Sequence, residues 1–443
     1  MLNYIWLGLI VAAVVLGGIN GRLDEVTAGA FDMAKVAVEI AIGLIGVMAL
    51  WLGVMRLAER SGLVGILARL LRPLMKRLFP DVPPEHPAMG SMLMNISANM
   101  LGLANAATPL GLRAMKDLER LNPRPGTATN AMCTFLAINT SSVQLVPATA
   151  IAILAAAGSV NPTAIVGTAF LATLCSTVAG ITSVKFLQRL PFFRLPPAPT
   201  AGAGEDSAGQ AEHGGNLESV PDEEFPDPSP LTLAGMGILL VFGGFFVWLF
   251  VEQVVGPTGD AAGTPAFVRG VNAISLLAVP FLLAFFPLYA HLRKVPVYEE
   301  FTEGAKEGFQ VAVRIIPFLA AILVAIGMFR SAGGIDMIAK YFGPALAWLQ
   351  FPSELLPMVA MRPLSGSGTM GLFTELVSTH GPDHIISRMA ATIFGSTETT
   401  FYVVTVYFGS VAIRKTRHAI AAGLLADLTG VIAAIIICRL VFG

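Results

Sequence analysis

The chain has 443 residues, 55% hydrophobic and only 13% charged, with 28 basic and 29 acidic side chains and a formal net charge of −1. An ordinary soluble domain carries about 25% charged residues, so this thin charged coat excludes a water-soluble enzyme. The near-zero net charge and the lack of a basic face exclude a nucleic-acid binder.

Long apolar runs and a mean hydropathy of +0.72 predict an all-α polytopic membrane protein. In chain order, apolar spans are expected at 2–19, 34–58, 127–157 and 163–187. The first has no preceding basic cluster and no small-x-small cleavage site, so it reads as a retained transmembrane helix. Between the spans, 62–79 is amphipathic with Arg69, Arg72, Lys76 and Arg77 on its polar face. Segment 85–112 is apolar but studded with Asn, Ser, Thr, Gly and Pro. Residues 195–230 hold seven prolines, eight acidic residues and no Lys or Arg, a composition that cannot bury a core and reads as a solvated linker. It separates a first half, 1–194, from a second, 231–443. Spans follow at 231–252, 266–292, 311–329, 386–413 and 418–441, with an amphipathic piece at 334–350 and a polar-studded apolar piece at 353–377.

Cys133, Cys175 and Cys438 are far apart in apolar stretches, with no CxxC and no HExxH. They read as buried small hydrophobes, and no metal or other cofactor is expected.

The two halves carry the same order of features, which points to an internal repeat. A shift of 270 places Asn95 to Asn99 on Ser365 to Thr369, and a shift of 257 places Asn139 to Gln144 on Ser396 to Phe401. Basic clusters orient the halves. Arg56 to Arg77 holds six basic residues, Arg113 to Arg124 four and Lys185 to Arg194 three. All three are expected inside, with the uncharged 158–162 connection outside. Segment 85–112 then leaves and returns on one side and must be a re-entrant hairpin. In the second half the basic cluster Arg414, Lys415 and Arg417 occupies the place of the uncharged 158–162. The two halves are thus expected to be inserted oppositely, as inverted-topology repeats around a site near the midplane.

Polar side chains at membrane depth are costly, and four clusters stand out. Asn95, Ser97, Asn99 and Asn105 punctuate the first hairpin. Asn139, Thr140, Ser141, Ser142 and Gln144, followed by Pro147, interrupt a 31-residue apolar run and predict a discontinuous helix. Ser365, Ser367 and Thr369 alternate with glycine in the second hairpin, where freed amides can converge on a solute. Ser396, Thr397, Glu398, Thr399 and Thr400 form the matching second break. Glu398 has no Lys or Arg between Arg388 and Arg414, and is suited to a cation, a solute donor or a coupling proton. Each cluster has a second reading as interhelical hydrogen-bond glue. Arg362 either balances Glu398 or a solute carboxylate, or snorkels to the surface; Asp427 and Glu39 face the bundle interior or the interface.

The segments NISANMLGLANAATPLGLRAM (95–115) and TNAMCTFLAINTSSVQL (129–145) resemble spore maturation protein A. MRPLSGSGTMGL (361–372) and GPDHIISRMAATIFGSTETTFYVVTVYFGSVAIRKTRHA (381–419) resemble spore maturation protein B. The resemblance implies one fused chain of two nucleoside-recognition Gate domains, the first spanning 1–194 and the second 231–443. More distantly, the order hairpin, broken helix, hairpin, broken helix is similar to the core of concentrative nucleoside transporters, whose hairpin tips and unwound helices bind nucleoside and Na⁺. These features lead to the expectation of a multi-pass protein of the bacterial inner membrane, forming homo-oligomers. It would move a small polar solute, nucleoside-like or an organic acid or amine, coupled to Na⁺ or H⁺, with no catalytic residues. The rival expectation is a non-transporting scaffold or regulator of envelope or spore-cortex state.

Overall fold

In a computed structural model the described residues are 2–141, 143–193, 229–256, 265–334, 337 and 351–443. Nearly all of the 195–230 linker and of the amphipathic 334–350 segment lie outside them, as does Ser142; the side chain of Asn105 is likewise outside. Among the described residues the fold is helical, with one isolated β-bridge between Thr127 and Lys415.

The first half contains α1 (Leu2–Ile19), α2 (Leu23–Arg60), α3 (Leu63–Leu78), α4 (Pro87–Met100), α5 (Ala104–Arg120), α6 (Asn130–Ser141), α7 (Ala148–Ala156) and α8 (Ile165–Leu187). The second contains α9 (Leu233–Val255), α10 (Ala266–Leu292), α11 (Val297–Ser331), α12 (Leu356–Met361), α13 (Gly366–His380), α14 (Ile385–Phe394), α15 (Thr400–Gly409) and α16 (Ala419–Phe442). Six of these stretches are long and apolar enough to cross a membrane, beginning at Leu23, Pro162, Leu233, Ala266, Val297 and Ala419.

The two polar-studded pieces are both helix–turn–helix hairpins. In the first, α4 starts on Pro87, whose fixed φ and missing N–H suit a first helical position, and a three-residue turn reverses the chain into α5. Gly102 at that turn has φ +78°, a conformation open to glycine without strain. In the second, Ser365 caps α13 by accepting the Gly368 N–H on its hydroxyl at 3.0 Å. The two polar-interrupted spans are broken helices, α6/α7 around 143–147 and α14/α15 around 395–399. Pro147 cannot donate to a helical bond, which ends the first.

The counterpart helices of the two halves pack on each other and run antiparallel. Along α2 and α11, Gly29 meets Gly327 while Gly53 meets Phe301 and Ala49 meets Gly308. Along α8 and α16, Gly180 and Ser176 meet Ala426 and Gly430. Equivalent helices in two copies inserted the same way would run parallel, so this antiparallel pairing makes the repeats inverted. The connections tell the same story. Gly126 and Ala128 hydrogen-bond to Arg414 and Lys415 at one end, bringing two basic clusters together. At the other end Asp383 accepts from the Ser159 hydroxyl at 2.7 Å and the Val160 N–H at 2.9 Å. With Cys175 replaced, cysteines introduced at Val160 and Lys415 are expected to react with a membrane-impermeant maleimide from opposite sides. Labelling of both from one side would contradict the inverted arrangement.

The Val160 N–H, with the Ser159 hydroxyl and Arg388, holds the Asp383 carboxyl below the usual aspartate range. A depressed carboxylate contributes stability that is present above the ordinary aspartate pKa and lost as pH falls through the folded value. Asp383→Asn is therefore expected to lower Tm at neutral pH, with the gap to wild type closing in strong acid. A gap that ignores pH would count against this tether.

One expectation needs correction, and one pair of alternatives is narrowed. Cys133 and Cys438 are buried, but Cys175 is exposed, because it shares an outward apolar face of α8 with Leu174 and Val178. Lipid rather than core surrounds that face. Arg362 does not snorkel: it is 4% exposed, held inside by the polar groups of the second break.

Candidate functional site

The hairpin turns, both helix breaks and the α2/α11 pair converge on a cavity of about 400 Å³. Its inner end is formed by Gly102 and Leu103 of the first hairpin turn, Gln144 and Pro147 of the first break, Gly366 and Ser367 of the second hairpin, and Gly395 and Glu398 of the second break. Trp51 and Met55 of α2 and Val311 and Ile315 of α11 make an apolar wall, and Arg56, Glu59 and Glu307 stand at the C-terminal end of α2. A cavity of this size, mostly apolar with few placed polar groups, is the usual form of a small-molecule site.

Backbone hydrogen bonds lock the pieces together. The Leu145 N–H donates to the Met100 carbonyl, joining the first break to the first hairpin, and the Phe401 N–H donates to the Pro363 carbonyl in the second half. The Glu398 N–H donates to the Thr140 carbonyl at 2.8 Å, joining the two breaks. An interrupted helix leaves such groups unpaired, and here the hairpins and the opposite break satisfy these three.

Of the residues singled out in the sequence, Gln144, Arg362, Ser367 and Glu398 line the cavity. Gln144 Nε2 donates to Glu398 Oε1 at 3.3 Å, a contact between the two halves. Asn95, Asn99 and Asn139 form a buried network behind it around Tyr407. Asn99 Nδ2 donates to Asn139 Oδ1 at 2.8 Å, the Tyr407 hydroxyl donates to the same oxygen at 3.3 Å, and Asn95 Nδ2 donates to the Ala107 carbonyl at 2.7 Å. Ser97 is fully buried, with no hydrogen-bond partner for its hydroxyl.

Several others are satisfied within their own helices. Thr140 and Ser141 donate to the Leu136 and Ile138 carbonyls, Thr369 to the Ser365 carbonyl and Ser396 to the Ile393 carbonyl. Ser365 serves as a cap. Thr397 and Thr399 accept from the Arg362 guanidinium at 3.2 and 3.5 Å, while a third guanidinium nitrogen donates to the Phe394 carbonyl at 2.9 Å. The guanidinium also lies 5.0 Å from the Phe394 ring centroid. Thr400 donates to Asp427 Oδ2 at 2.6 Å. Asp427 is buried, whereas Glu39 is exposed on α2.

Sequence reasoning missed the cavity's contributions from the scaffold helices. Arg56, counted only as a topology signal, pairs with Glu300 at 2.8 Å and Glu307 at 2.6 Å across the α2/α11 seam. Trp51 lines the cavity with its buried indole N–H unpartnered. The remaining hidden member is Tyr407, an aromatic in an apolar half-helix whose hydroxyl organises the asparagine network.

Comparison with known proteins places these elements in a family. The Gate family profile, described as nucleoside recognition, matches residues 41–158 and 312–414, which include both hairpins and both breaks. Spore maturation protein A of Bacillus subtilis (strain 168) is 48% identical over 181 residues, covering 41% of this chain and 92% of that protein. Spore maturation protein B of the same organism is 47% identical over 173 residues, covering 39% of this chain and 97% of that protein. Among solved structures, the Alcanivorax borkumensis YdaH transporter covers 99% of this chain and 97% of its own, at 16% identity and a TM-score of 0.41, a likeness too loose to bear on the site. Nearly half identical to two of its members over almost their whole lengths, this multi-pass membrane chain belongs to the nucleoside-recognition Gate family.

Proposed function

We propose that the chain is a transporter of a small polar solute, with the cavity between the two inverted halves as its binding site. The carrying observation is that four backbone interruptions, two from each half, meet around one cavity that also holds a half-buried carboxylate and a buried guanidinium. Backbone breaks at membrane depth are tolerated where they line such a site, and inverted repeats let the two halves rock about it. The N-termini of α7 and α13 reach the cavity at Ala148 and Gly366, offering donors and positive potential, while Glu398 and Gln144 offer acceptors. This mixture suits a nucleoside-like solute or an organic acid or amine, with Na⁺ or H⁺ as the coupling ion.

The first half is read as the spore maturation protein A-like domain and the second as the B-like domain, in the bacterial inner membrane, with no catalytic role assigned. The names of the two relatives favour a second reading, a membrane scaffold or regulator acting on envelope or spore-cortex state.

A thermal-shift screen of purified protein across nucleosides, amino acids and dicarboxylates tests the site, and uptake of any hit into proteoliposomes tests transport. Glu398→Gln, which keeps volume but removes the charge, is expected to weaken binding of the hit about 10- to 100-fold, the worth of a hydrogen bond to a charged group, with a normal elution profile. Full binding and full transport by this variant would remove Glu398 from the site. A chain that binds nothing in the screen, yet complements a null phenotype through every cavity variant, would favour the scaffold.

A further inference from the structure

Behind the cavity lies a buried carboxylate that the solute site does not use. Asp427 is the ninth residue of α16 and 4% exposed. The Thr400 hydroxyl donates to its Oδ2, and its Oδ1 has no hydrogen-bond partner. The α16 face that presents it is cut back to glycine on either side. Gly423 lies against Thr400 and Thr140, and Gly430 against Thr397 and Ser176. Asp427 therefore looks onto the end of α6, the second break and α8 at once, in a tightly closed space.

Two charged groups act on Asp427 electrostatically, Arg362 and Glu398. Of the other titratable groups on helices packed against α16, Cys175 of α8 lies level with Asp427 but on the exposed face, and Lys185 lies in the last turn of α8; Cys133 and Arg388 lie towards the ends of α16. Cys133 of α6 contacts the Thr416 carbonyl, and Arg388 of α14 contacts Cys438 through its carbonyl. At 1.5 Å per residue those points are about 12 Å or more along the helix from Asp427. Ionising all three groups leaves two carboxylates sharing one guanidinium, and of the two only Glu398, half-buried at the cavity, reaches solvent; a charge on Asp427 would lie away from water. Such a charge is neutralised rather than sustained. The hydrogen-bond donors decide where. Glu398 has the Gln144 amide and the open cavity beside it, whereas Asp427 has one hydroxyl donor and a bare oxygen.

We propose that Asp427 is a proton-binding site, its Oδ1 carrying a proton in this conformation while Glu398 keeps its charge against Arg362. On release, the O–H bond at Oδ1 breaks, its electron pair stays on the oxygen and the proton passes to an entering water. Arg362 then serves two carboxylates. Because the same guanidinium holds Phe394, Thr397 and Thr399, the protonation state is felt by the break that lines the cavity. The use of this proton for coupling rests on the transport reading; the site itself does not.

Infrared spectroscopy of the purified full chain at neutral pH tests it. Wild type is expected to show the carbonyl stretch of a protonated, buried carboxylic acid whose carbonyl accepts one hydrogen bond, retained in Glu398→Gln and lost in Asp427→Asn. Absence of the band from wild type overturns the proposal, whether or not any variant folds. So does its retention in Asp427→Asn, or its loss in Glu398→Gln alone, which moves the proton to Glu398. In a parallel arm, selective stabilisation of wild type by NaCl over choline chloride, lost in Asp427→Asn, overturns the proton in favour of Na⁺. The band present without solute uptake in proteoliposomes leaves the proton site standing and sinks only the transport reading.

Discussion

Arg362→Met is expected to destabilise the folded protein by about 3–5 kcal/mol, the cost of removing one partner from a buried charged set. The side chain is buried to 4% exposure, and its three nitrogens serve the Phe394 carbonyl and the Thr397 and Thr399 hydroxyls. Methionine fills much of the volume but leaves those acceptors without a donor and the Glu398 carboxylate without a cation. Arg362→Lys should recover only part of the loss, because a single ammonium cannot span three acceptors spread over a six-residue turn. The informative comparison is the double variant Arg362→Met/Glu398→Gln. If the guanidinium serves as counter-charge to Glu398, the double variant should be more stable than the sum of the single effects by about 0.5–3 kcal/mol. Denaturant titration in mixed micelles reads all four corners of the cycle. Strict additivity would mean that Arg362 only staples the break and has no electrostatic role towards the cavity.

The architecture was legible because membranes make polar residues conspicuous. The clusters at 95–99, 139–144, 365–369 and 395–400 stood out against apolar surroundings, and each lies at a hairpin or a break. Their exact boundaries were less visible. Asn139, Thr140 and Ser141 read as part of the first break, yet they belong to α6, because their side chains bond carbonyls one turn back. Such local bonding lets polar residues sit inside a helix, and nothing in their spacing reveals it. The repeat register shifts for the same reason: the helices before the breaks end 253 residues apart, at Ser141 and Phe394, rather than 257. That register sets Gln144 close to Glu398 across the pseudo-twofold, and the two touch. The cavity's long walls were illegible for a different reason. Trp51, Met55 and Val311 lie in apolar spans that any lipid-facing helix could contain, and only the α2/α11 seam decides which face is internal.

That seam carries the other large expected effect. A Cβ on Gly308 would stand 2.5 Å from the Met48 carbonyl oxygen and 2.6 Å from the Ala49 Cα. One turn earlier, a Cβ on Gly304 would stand 2.6 Å from the Leu52 carbonyl oxygen. These clashes are with backbone, so no rotamer change relieves them; the two helices must separate. Small residues four apart allow this approach in membranes, where packing rather than the hydrophobic effect holds helices together. Gly308→Ala is expected to cost about 1–3 kcal/mol, the range of overpacking, and Gly308→Leu to yield no monodisperse protein. The loss should also reach the cavity. Glu307 and Met48 both line it, and moving α11 off α2 pulls Glu307 from its 2.6 Å contact with Arg56. Gly308→Ala should therefore weaken solute binding as well as stability. Gly237→Ala, on the exposed α9 with no atom within 4 Å of the new Cβ, is the control and should leave both unchanged to within about 1 kcal/mol, the helix preference of alanine over glycine. Equal effects at the two glycines would show that helix propensity rather than close packing governs the seam.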